Sequence, residues 1–458
     1  MGQCTLGWVG RVALGCALAG LAQADSDRMA RPLVLGLNGS GVMGTFKADG
    51  PIDRRNEFFK SLGSNGRSCA TCHLLEQAAS FTPSHARQLY RQTHGADPLF
   101  APVDGANCDQ VARTDRAGHS LILQHGLIRV ANAVPANAEF AISVVRDPYG
   151  CALRVDPKSH VLTASVYRRP LPSTNLGFLS AVMFDGRETL VPLTSADTLD
   201  ANLRTNLRHQ AIDAVLGHAE GATGGPIELS GQLYYPGIND SLGAEPNGIP
   251  FTPASMTLYS TWEQRSARRQ DGRVGAARAD IAAGENLFNT LPMAISNVRG
   301  LNDSAALGKP TTFVGNCASC HDTPNVGHHS LPLPLDIGTG HSPDANQESD
   351  VVIADALAQL SLPDLPVFLV SGCPNPFNAG QAESFYTTDP GRALISGKCA
   401  DFNRIKGPIL RGLAGRAPYF HNGAAASLLE LVNFYDRRFK MGMTREQKHQ
   451  LVAFLNTL

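Results

Sequence analysis

Apolar residues recur at helical spacing near the C-terminal end of the chain. In residues 276–291 (AARADIAAGENLFNTL) and 444–458 (TREQKHQLVAFLNTL), the apolar positions fall on one face of a helix. Thr444 and Gln447 have the residue types of a capping box, so the last helix should begin at Thr444. A shorter segment of similar character, residues 56–62 (NEFFKSL), lies in the N-terminal half. The pattern predicts a mainly α chain in which one helical unit occurs in each half as a divergent repeat.

A different pattern occupies the stretch between residues 120 and 170. Segments 127–134, 140–145 and 161–167 are rich in β-branched residues, alternate in part, and are separated by Pro, Asn, Asp and Gly. They predict a small antiparallel sheet inserted into the N-terminal half, with scaffolding as its default role. The 45 Gly and 29 Pro predict long ordered loops around the regular elements.

Composition adds bounds on size and partners. A chain of 458 residues with 43% apolar residues can bury one large core or two ordinary ones. The 39 Lys and Arg residues nearly balance the 40 Asp and Glu residues. This balance provides no electrostatic basis for binding nucleic acid or anionic lipid, so partners must be inferred from individual sites.

The N-terminus has the layout of a secretory signal. Arg11 precedes a short apolar run, residues 12–22, and the segment Ala22-Gln23-Ala24 then forms an A-x-A cleavage site. We expect residues 1–24 to be a signal peptide and the mature protein to be periplasmic. Lipidation at Cys16 is the alternative. The run is too short to span a bilayer, and no other stretch approaches the required length.

Two C-x-x-C-H motifs carry the strongest chemical signal. They are Cys69-Ala70-Thr71-Cys72-His73 and Cys317-Ala318-Ser319-Cys320-His321. One helical turn brings both thiols to the same side, where they can bond to the two haem vinyl groups, and the next residue supplies an imidazole to the iron. Zinc binding or thioredoxin-like chemistry would not explain a His directly after both motifs. The motifs predict two covalently bound haem c groups, with His73 and His321 as iron ligands.

The remaining cysteines of the mature chain number four. In an exported protein an even remainder predicts two disulfides, and proximity in sequence favours Cys108–Cys151 and Cys373–Cys399. Four unrelated buried thiols are the alternative.

Two further segments resemble the bacterial di-haem cytochrome c peroxidase and MauG family. Phe184-Asp185-Gly186-Arg187 is similar to the family's F-W-D-G-R segment, and residues 417–423 (APYFHNG) are similar to its A-P-Y-F-H-D-G segment. The resemblance implies two cytochrome c-type haem domains. We expect domains at 25–270 and 271–458, the first containing the β insertion at about 120–170. Phe184 replaces a Trp that family members place between the haems.

The resemblance implies catalytic residues over the first haem. The family has a Gln and, ten residues later, a Glu beyond the D-G-R segment, and Gln210 and Glu220 match that spacing. A carboxylate there could carry a proton between the two peroxide oxygens, while the amide orients the peroxide. Ordinary polar residues on an exposed helix are the alternative reading of this pair. His209 and His218 flank it and could substitute in either role.

At the second haem the resemblance points to Tyr435 as distal ligand. Peroxidases of the family have Met at this position, whereas MauG and its relatives have Tyr. An anionic phenolate stabilises oxidised iron, so Tyr435 would favour holding oxidising equivalents at the second haem. A core aromatic without a ligand role is the alternative, and Met441 and Met443 are rival ligands.

Several smaller expectations follow from the same resemblance. His85 lies in the loop where some peroxidases hold a removable blocking ligand, although a plain surface residue is an equal reading. Calcium between the domains is a further ion to consider, but Pro170 stands where the family has an Asn. His328 and His329 are expected to be solvated loop residues, and His421 to support the second haem.

The pattern as a whole predicts a periplasmic oxidoreductase that reacts with hydrogen peroxide at the first haem. The second haem would relay electrons or store oxidising equivalents. A cytochrome c or cupredoxin would reduce the enzyme, or a protein substrate would be oxidised by it. A non-enzymatic di-haem electron carrier and a di-haem oxygenase are the alternatives.

Overall fold

The computed structural model describes residues 32–47, 50–157, 159–193, 198–221, 258–259, 262, 272–321, 333–343, 351–378 and 381–458. The predicted signal peptide, the segment with His328 and His329, and the predicted domain boundary at 270/271 lie outside these residues. The α-helices are α1 (Pro83–Thr93), α2 (Pro102–Gly105), α3 (Ser120–His125), α4 (Leu199–Gly217), α5 (Gly272–Thr290), α6 (Cys317–Cys320), α7 (Val351–Leu357), α8 (Ala393–Ser396), α9 (Leu428–Arg438) and α10 (Arg445–Leu455).

Helices α5 and α10 pack closely against each other in the C-terminal half. A Cβ added at Gly284 would lie 2.0 Å from the carbonyl oxygen of Gln450, so only glycine permits this approach. One turn further along, the rings of Phe288 and Phe454 lie 5.4 Å apart and are both buried. The predicted capping box of α10 is confirmed, since the Thr444 hydroxyl accepts from the Gln447 backbone N–H at 3.2 Å.

Within the described residues, the strands form four small antiparallel sheets. The strands are β1 (Leu33–Asn38), β2 (Gly41–Phe46), β3 (Ile128–Ala133), β4 (Ala141–Arg146), β5 (Leu153–Val155), β6 (Leu162–Arg168), β7 (Met293–Ile295), β8 (Phe313–Gly315), β9 (Val367–Pro374) and β10 (Ala382–Thr387). The sheets have the orders β1-β2, β3-β6-β5, β10-β9-β4 and β7-β8.

One detail of the predicted β insertion is wrong. Strands β3 and β6 pair with each other as expected, but β4 does not join their sheet. It pairs instead with β9 of the C-terminal half, with Val144 opposite Phe368. Phe368 and Val370 are fully buried, so β9 occupies the centre of its sheet and uses both of its edges, one for β10 and one for β4. The insertion therefore joins the two halves of the chain.

A buried ion network reinforces this junction. Arg168, the last residue of β6, binds both carboxylate oxygens of Asp389, at 2.7 Å from Nε and 2.9 Å from Nη2. Its Nη1 donates to Asp185 of the D-G-R segment. All three side chains are at most 3% exposed. One guanidinium thus pairs with two buried carboxylates, and Arg187 gives Asp185 a second cationic partner at 3.0 Å.

The remaining cysteine pairs are placed as the sequence indicates. Cys108 and Cys151 lie at disulfide distance with Cα atoms 6.1 Å apart, as do Cys373 and Cys399 with Cα atoms 5.4 Å apart. Among the helices of the described residues, none combines the length and apolar composition that crossing a bilayer requires.

Candidate functional site

The first C-x-x-C-H motif forms a tight turn that directs His73 inward. Residues Cys69–Thr71 form a 3-10 helix, and the backbone N–H of His73 donates to the Cys69 carbonyl at 3.0 Å. His73 Nδ1 lies 2.9 Å from the Ala79 carbonyl oxygen. A carbonyl only accepts, so Nδ1 donates and the lone pair of Nε2 is left for a metal. Burial lowers the pKa of His73, which favours the neutral imidazole that binds iron.

A cavity of about 1140 Å³ opens beside this motif. Cys69, Cys72 and His73 lie in one wall. Helix α4 supplies another, because its residues at spacings of three and four face the space. These are Leu207, Gln210, Ala211, Ala214 and Val215, and His218 directly after the helix continues the same face. The cavity is thus bounded by both thiols and the imidazole that covalent haem attachment requires.

Cationic side chains in the same cavity fit the carboxylates of a haem. Lys406 is 1% exposed and lines the cavity together with Arg187. Within the described residues its ammonium group has no hydrogen-bond or ion-pair partner at contact distance. Burial lowers the pKa of Lys406 to about 7, although the charge of Asp185 opposes this. A buried amine that lines the cavity without a direct ion pair could hold an anionic group of a cofactor there, such as a haem carboxylate.

Replacing Lys406 with methionine should lower the midpoint potential of the first haem by on the order of 50 mV, since a lost positive charge leaves ferric iron relatively more stable. Potentiometric titration of the holoprotein measures both haems. Lys309→Met, at an exposed position outside the cavity lining, is the control. If both potentials in Lys406→Met equal those of the control, Lys406 does not lie near a haem.

The structure brings only one of the two predicted catalytic residues to the cavity. Gln210 lies in the α4 wall. Glu220 lies beyond the end of α4, is exposed, and is not among the described residues that line the cavity. Its φ of 54° places it in the left-handed region, and its carbonyl oxygen accepts from the Ser64 backbone N–H at 3.3 Å. Helix α4 ends at Gly217, so Glu220 does not continue the helix face that carries Gln210, and its role stays a prediction from the family resemblance.

The flanking histidines have different environments. His209 lies outside the cavity lining as described, and its Nδ1 lies 2.7 Å from Glu188. His218 lines the cavity, and its Nδ1 lies 2.6 Å from Asp104. Arg67 contacts the same carboxylate oxygen at 2.8 Å. Sequence analysis did not identify Asp104 and Arg67 as members of the site. Of the two, only Arg67 could have been found from the sequence, because it lies two residues before Cys69.

The second motif is anchored at the end of α5. Asn316 caps the short helix α6 by accepting from the Ser319 backbone N–H at 2.9 Å, and its amide donates to the Asn289 carbonyl at 2.6 Å. The His321 backbone N–H donates to the Cys317 carbonyl at 3.0 Å. Both motifs therefore present the same turn, with the His directly after it.

Tyr435 lies close to the thiols of the second motif. One apolar cluster contains Cys317, Cys320, Tyr435 and Met441. Burial raises the pKa of Tyr435, and the two thiols add to this effect. The predicted ligand Tyr435 and its rival Met441 therefore occupy the same cluster. Met443 is buried in the adjoining cluster, which also contacts Cys317.

Phe184 and His421 are neighbouring side chains. Phe184 lines the first cavity, and its ring centre lies 6.1 Å from that of His421. His421 is buried 3.5 Å from the Asp389 carboxylate, and burial lowers its pKa to about 4.

His85 lies in α1 and is not among the described residues that line the cavity. The Pro170 carbonyl accepts from the Ser80 hydroxyl at 3.1 Å, and nothing in the described residues tests whether calcium binds there.

Comparison with known proteins finds similarity over part of the chain. No protein-family model matches it. Cytochrome-c peroxidase IdrP2 of Denitromonas iodatirespirans is 32% identical over 157 residues, covering 32% of this chain and 37% of that protein. Cytochrome c551 peroxidase of Nitrosomonas europaea is 32% identical over 118 residues, covering 23% and 35%. Cytochrome-c peroxidase IdrP1 of Pseudomonas sp. strain SCT is 29% identical over 119 residues, covering 22% and 31%.

The matched segments thus span about a third of the length of each curated relative. All three relatives bear the name of a cytochrome c peroxidase, which supports similarity to that family.

Proposed function

We propose that this protein is an exported di-haem oxidoreductase of the cytochrome c peroxidase type that reduces hydrogen peroxide at the haem held by Cys69, Cys72 and His73. The main observation in support of this proposal is the cavity beside this motif. It combines the two thiols and the oriented imidazole of the motif with the buried amine of Lys406. The names of the three partial relatives point in the same direction. The periplasm is the proposed compartment, on the basis of the N-terminal sequence.

The chain's own residues have defined tasks in this proposal. A bound haem supplies the iron at which peroxide is reduced. His73 is held by the Ala79 carbonyl, so its ring keeps one orientation. The α4 wall is mostly apolar and excludes water from the reacting oxygens. The Gln210 amide can orient peroxide without changing its own protonation state. Two electrons from a small redox protein and two protons complete the conversion of one peroxide into two waters.

Electron paramagnetic resonance on the oxidised holoprotein tests the proposal. We expect one high-spin and one low-spin haem, and a change of the high-spin signal after hydrogen peroxide is added. Two low-spin haems that do not respond to peroxide would identify an electron carrier instead. A steady-state assay with reduced cytochrome c and with reduced cupredoxin would then define the donor.

A MauG-like oxidation of a partner protein is the second candidate function. The observation that favours it is the position of Tyr435 in the cluster of Cys317 and Cys320. A tyrosine oxygen on the second haem would favour storing oxidising equivalents there, because it stabilises the oxidised iron. Incubating the peroxide-treated holoprotein with candidate protein substrates, followed by mass spectrometry, distinguishes this activity from reduction by a cytochrome.

Replacing Tyr435 with phenylalanine should change the low-spin signal of the second haem and leave the high-spin signal of the first unchanged. The reason is that only the phenol oxygen is removed while the ring still fills the cluster. Met441→Leu and Met443→Leu are the matched variants for the rival ligands. An altered low-spin signal in one of these variants, with Tyr435→Phe identical to wild type, would assign the ligand to that methionine.

A further inference from the structure

We propose that His218 is the proton-transfer residue of the first haem site, held in position by Asp104 and Arg67. The inference rests on the proposed peroxide reaction and names a residue for its proton-transfer step. His218 follows α4 directly and lines the same cavity as Cys69, Cys72, His73 and Gln210. Its side chain is 35% exposed, so it is accessible to a small molecule in that space.

The contact with Asp104 fixes the tautomer of His218. Nδ1 lies 2.6 Å from a carboxylate oxygen of Asp104. Burial raises the pKa of Asp104, but the charge of His218, its hydrogen bond and the charge of Arg67 outweigh burial and lower that pKa. The group is therefore a carboxylate, which only accepts, and Nδ1 of His218 must donate. Nε2 is then the atom available to take up and release a proton.

Arg67 makes Asp104 a rigid support. Its Nη1 binds Asp104 at 2.8 Å, while Nη2 donates to the Ala101 carbonyl at 2.8 Å and Nε to the Pro98 carbonyl at 2.9 Å. Arg67 is 4% exposed. These hydrogen bonds fix the conformation of the Arg67 side chain, and Arg67 in turn fixes the position of the Asp104 carboxylate.

The backbone of His218 is held as firmly as its side chain. Its carbonyl oxygen accepts from Arg67 Nη1 at 3.0 Å and from the Asn65 amide at 2.8 Å. Asn65 and Arg67 both lie just before the first haem motif, so the motif and His218 form one unit. The charge of His218 also contributes to lowering the pKa of His73, which is consistent with both rings facing one space. Arg129 is the other charged group acting on Asp104.

The proposed step balances in atoms and charge. The Nε2 atom of His218 takes one proton from the oxygen of hydrogen peroxide that binds first. It delivers that proton to the other oxygen as the O–O bond breaks, and that oxygen leaves as water. The remaining oxygen leaves as a second water after two further protons and two electrons arrive, the electrons from a one-electron donor protein in two steps. A bound haem would supply the two electrons for O–O cleavage, and the same two electrons from the donor protein would replace them, so one peroxide, two electrons and two protons give two waters.

The test compares single variants of the holoprotein, each carrying both haems. Stopped-flow mixing with hydrogen peroxide gives the second-order rate constant, and a fluoride titration of the ferric protein reports a hydrogen-bond donor near the iron. His218→Gln should lower the rate constant by about 100-fold or more, and should weaken fluoride binding. His449→Gln, at an exposed position on α10, should match wild type in both measurements. The rate constant and the fluoride affinity of Asp104→Asn should lie between those of His218→Gln and wild type. In this variant His218 is still present, but the carboxylate that orients it is gone.

The possible outcomes separate this inference from the proposed function. A wild type that does not react with peroxide overturns the proposed function itself. A reactive wild type with an unaffected His218→Gln variant overturns only the role of His218, and a loss confined to Glu220→Gln assigns that role to Glu220. If the first haem is low-spin in wild type, and His218→Gln makes it high-spin and raises its rate constant with hydrogen peroxide, His218 is an iron ligand. That result also overturns the inference.

Discussion

Arg168→Met should destabilise the protein by about 3–5 kcal/mol, because it leaves the carboxylates of Asp185 and Asp389 buried without their shared counter-charge. Methionine fills much of the same volume, so the loss reports charge rather than a cavity. The midpoint of denaturant unfolding of the holoprotein, followed by tryptophan fluorescence and by the haem absorbance, measures the effect.

The matched control is Arg437→Met. Arg437 also faces a carboxylate, Asp355 at 3.2 Å, but both side chains are about half exposed. Exposed pairs contribute about 0–1 kcal/mol, so this variant should unfold close to wild type. Equal unfolding midpoints in the two variants would show that the Arg168 network does not stabilise the junction of the two halves.

The same network should impose a pH dependence on stability. Burial opposes ionisation of Asp185 and Asp389, but the charge and hydrogen bonds of Arg168, with Arg187 at Asp185 and His421 at Asp389, together outweigh burial and lower the pKa of both carboxyls. Their contribution is therefore present above the ordinary carboxyl pKa of about 4 and is lost as pH falls below it. Without Arg168, Asp185 still contacts Arg187 at 3.0 Å, whereas Asp389 loses its arginine and favours protonation. Arg168→Met should then recover part of its loss as pH is lowered from about 7 to about 5, an interval in which this network leaves wild-type stability unchanged.

Removing the thiols of one motif at a time should halve the covalent haem and separate the two sites. Cys69→Ala/Cys72→Ala should keep only the second haem and lose essentially all reaction with hydrogen peroxide. Cys317→Ala/Cys320→Ala should keep the first haem and its initial reaction with peroxide, but lose turnover with an electron donor. Haem staining after denaturing electrophoresis and pyridine haemochrome absorbance give the content, and stopped-flow mixing gives the reaction.

Each double variant serves as the control for the other, because both remove two thiols from the same motif and differ only in site. Loss of the peroxide reaction in the second variant and its retention in the first would place the reacting haem on His321. Equal haem content in both variants and wild type would contradict covalent attachment at these cysteines.

The sequence predicts local features of this fold well. The start of α10 at Thr444 depends on residues three positions apart, and the pairing of β3 with β6 follows from the alternation of their residues. The two cysteine pairs at disulfide distance were chosen from proximity in sequence alone. Interactions of this kind involve few residues, so a single sequence contains most of the information needed.

The rest depends on contacts between distant segments. The residues of β4 do not indicate that β9 is its partner, because any strand with a free edge could pair with β4. Asp104 reaches His218 only because the backbone folds α2 against the end of α4. Sequence analysis does not single out Lys406, because its burial depends on segments far away in the chain. The family resemblance predicts Glu220 over the first haem, whereas its exposed position after the end of α4 depends on how the following segment folds.

The pairing of β4 with β9 also constrains the order in which the molecule is made. Synthesis runs from the N-terminus, so β4 exists long before Val367–Pro374 has left the ribosome. Until then one edge of β4 lacks its partner and remains open to aggregation. A fragment that stops before β9 would retain the first haem motif but not its native sheet. The sheet that contains β4 can therefore be completed only after the C-terminal half has been synthesised.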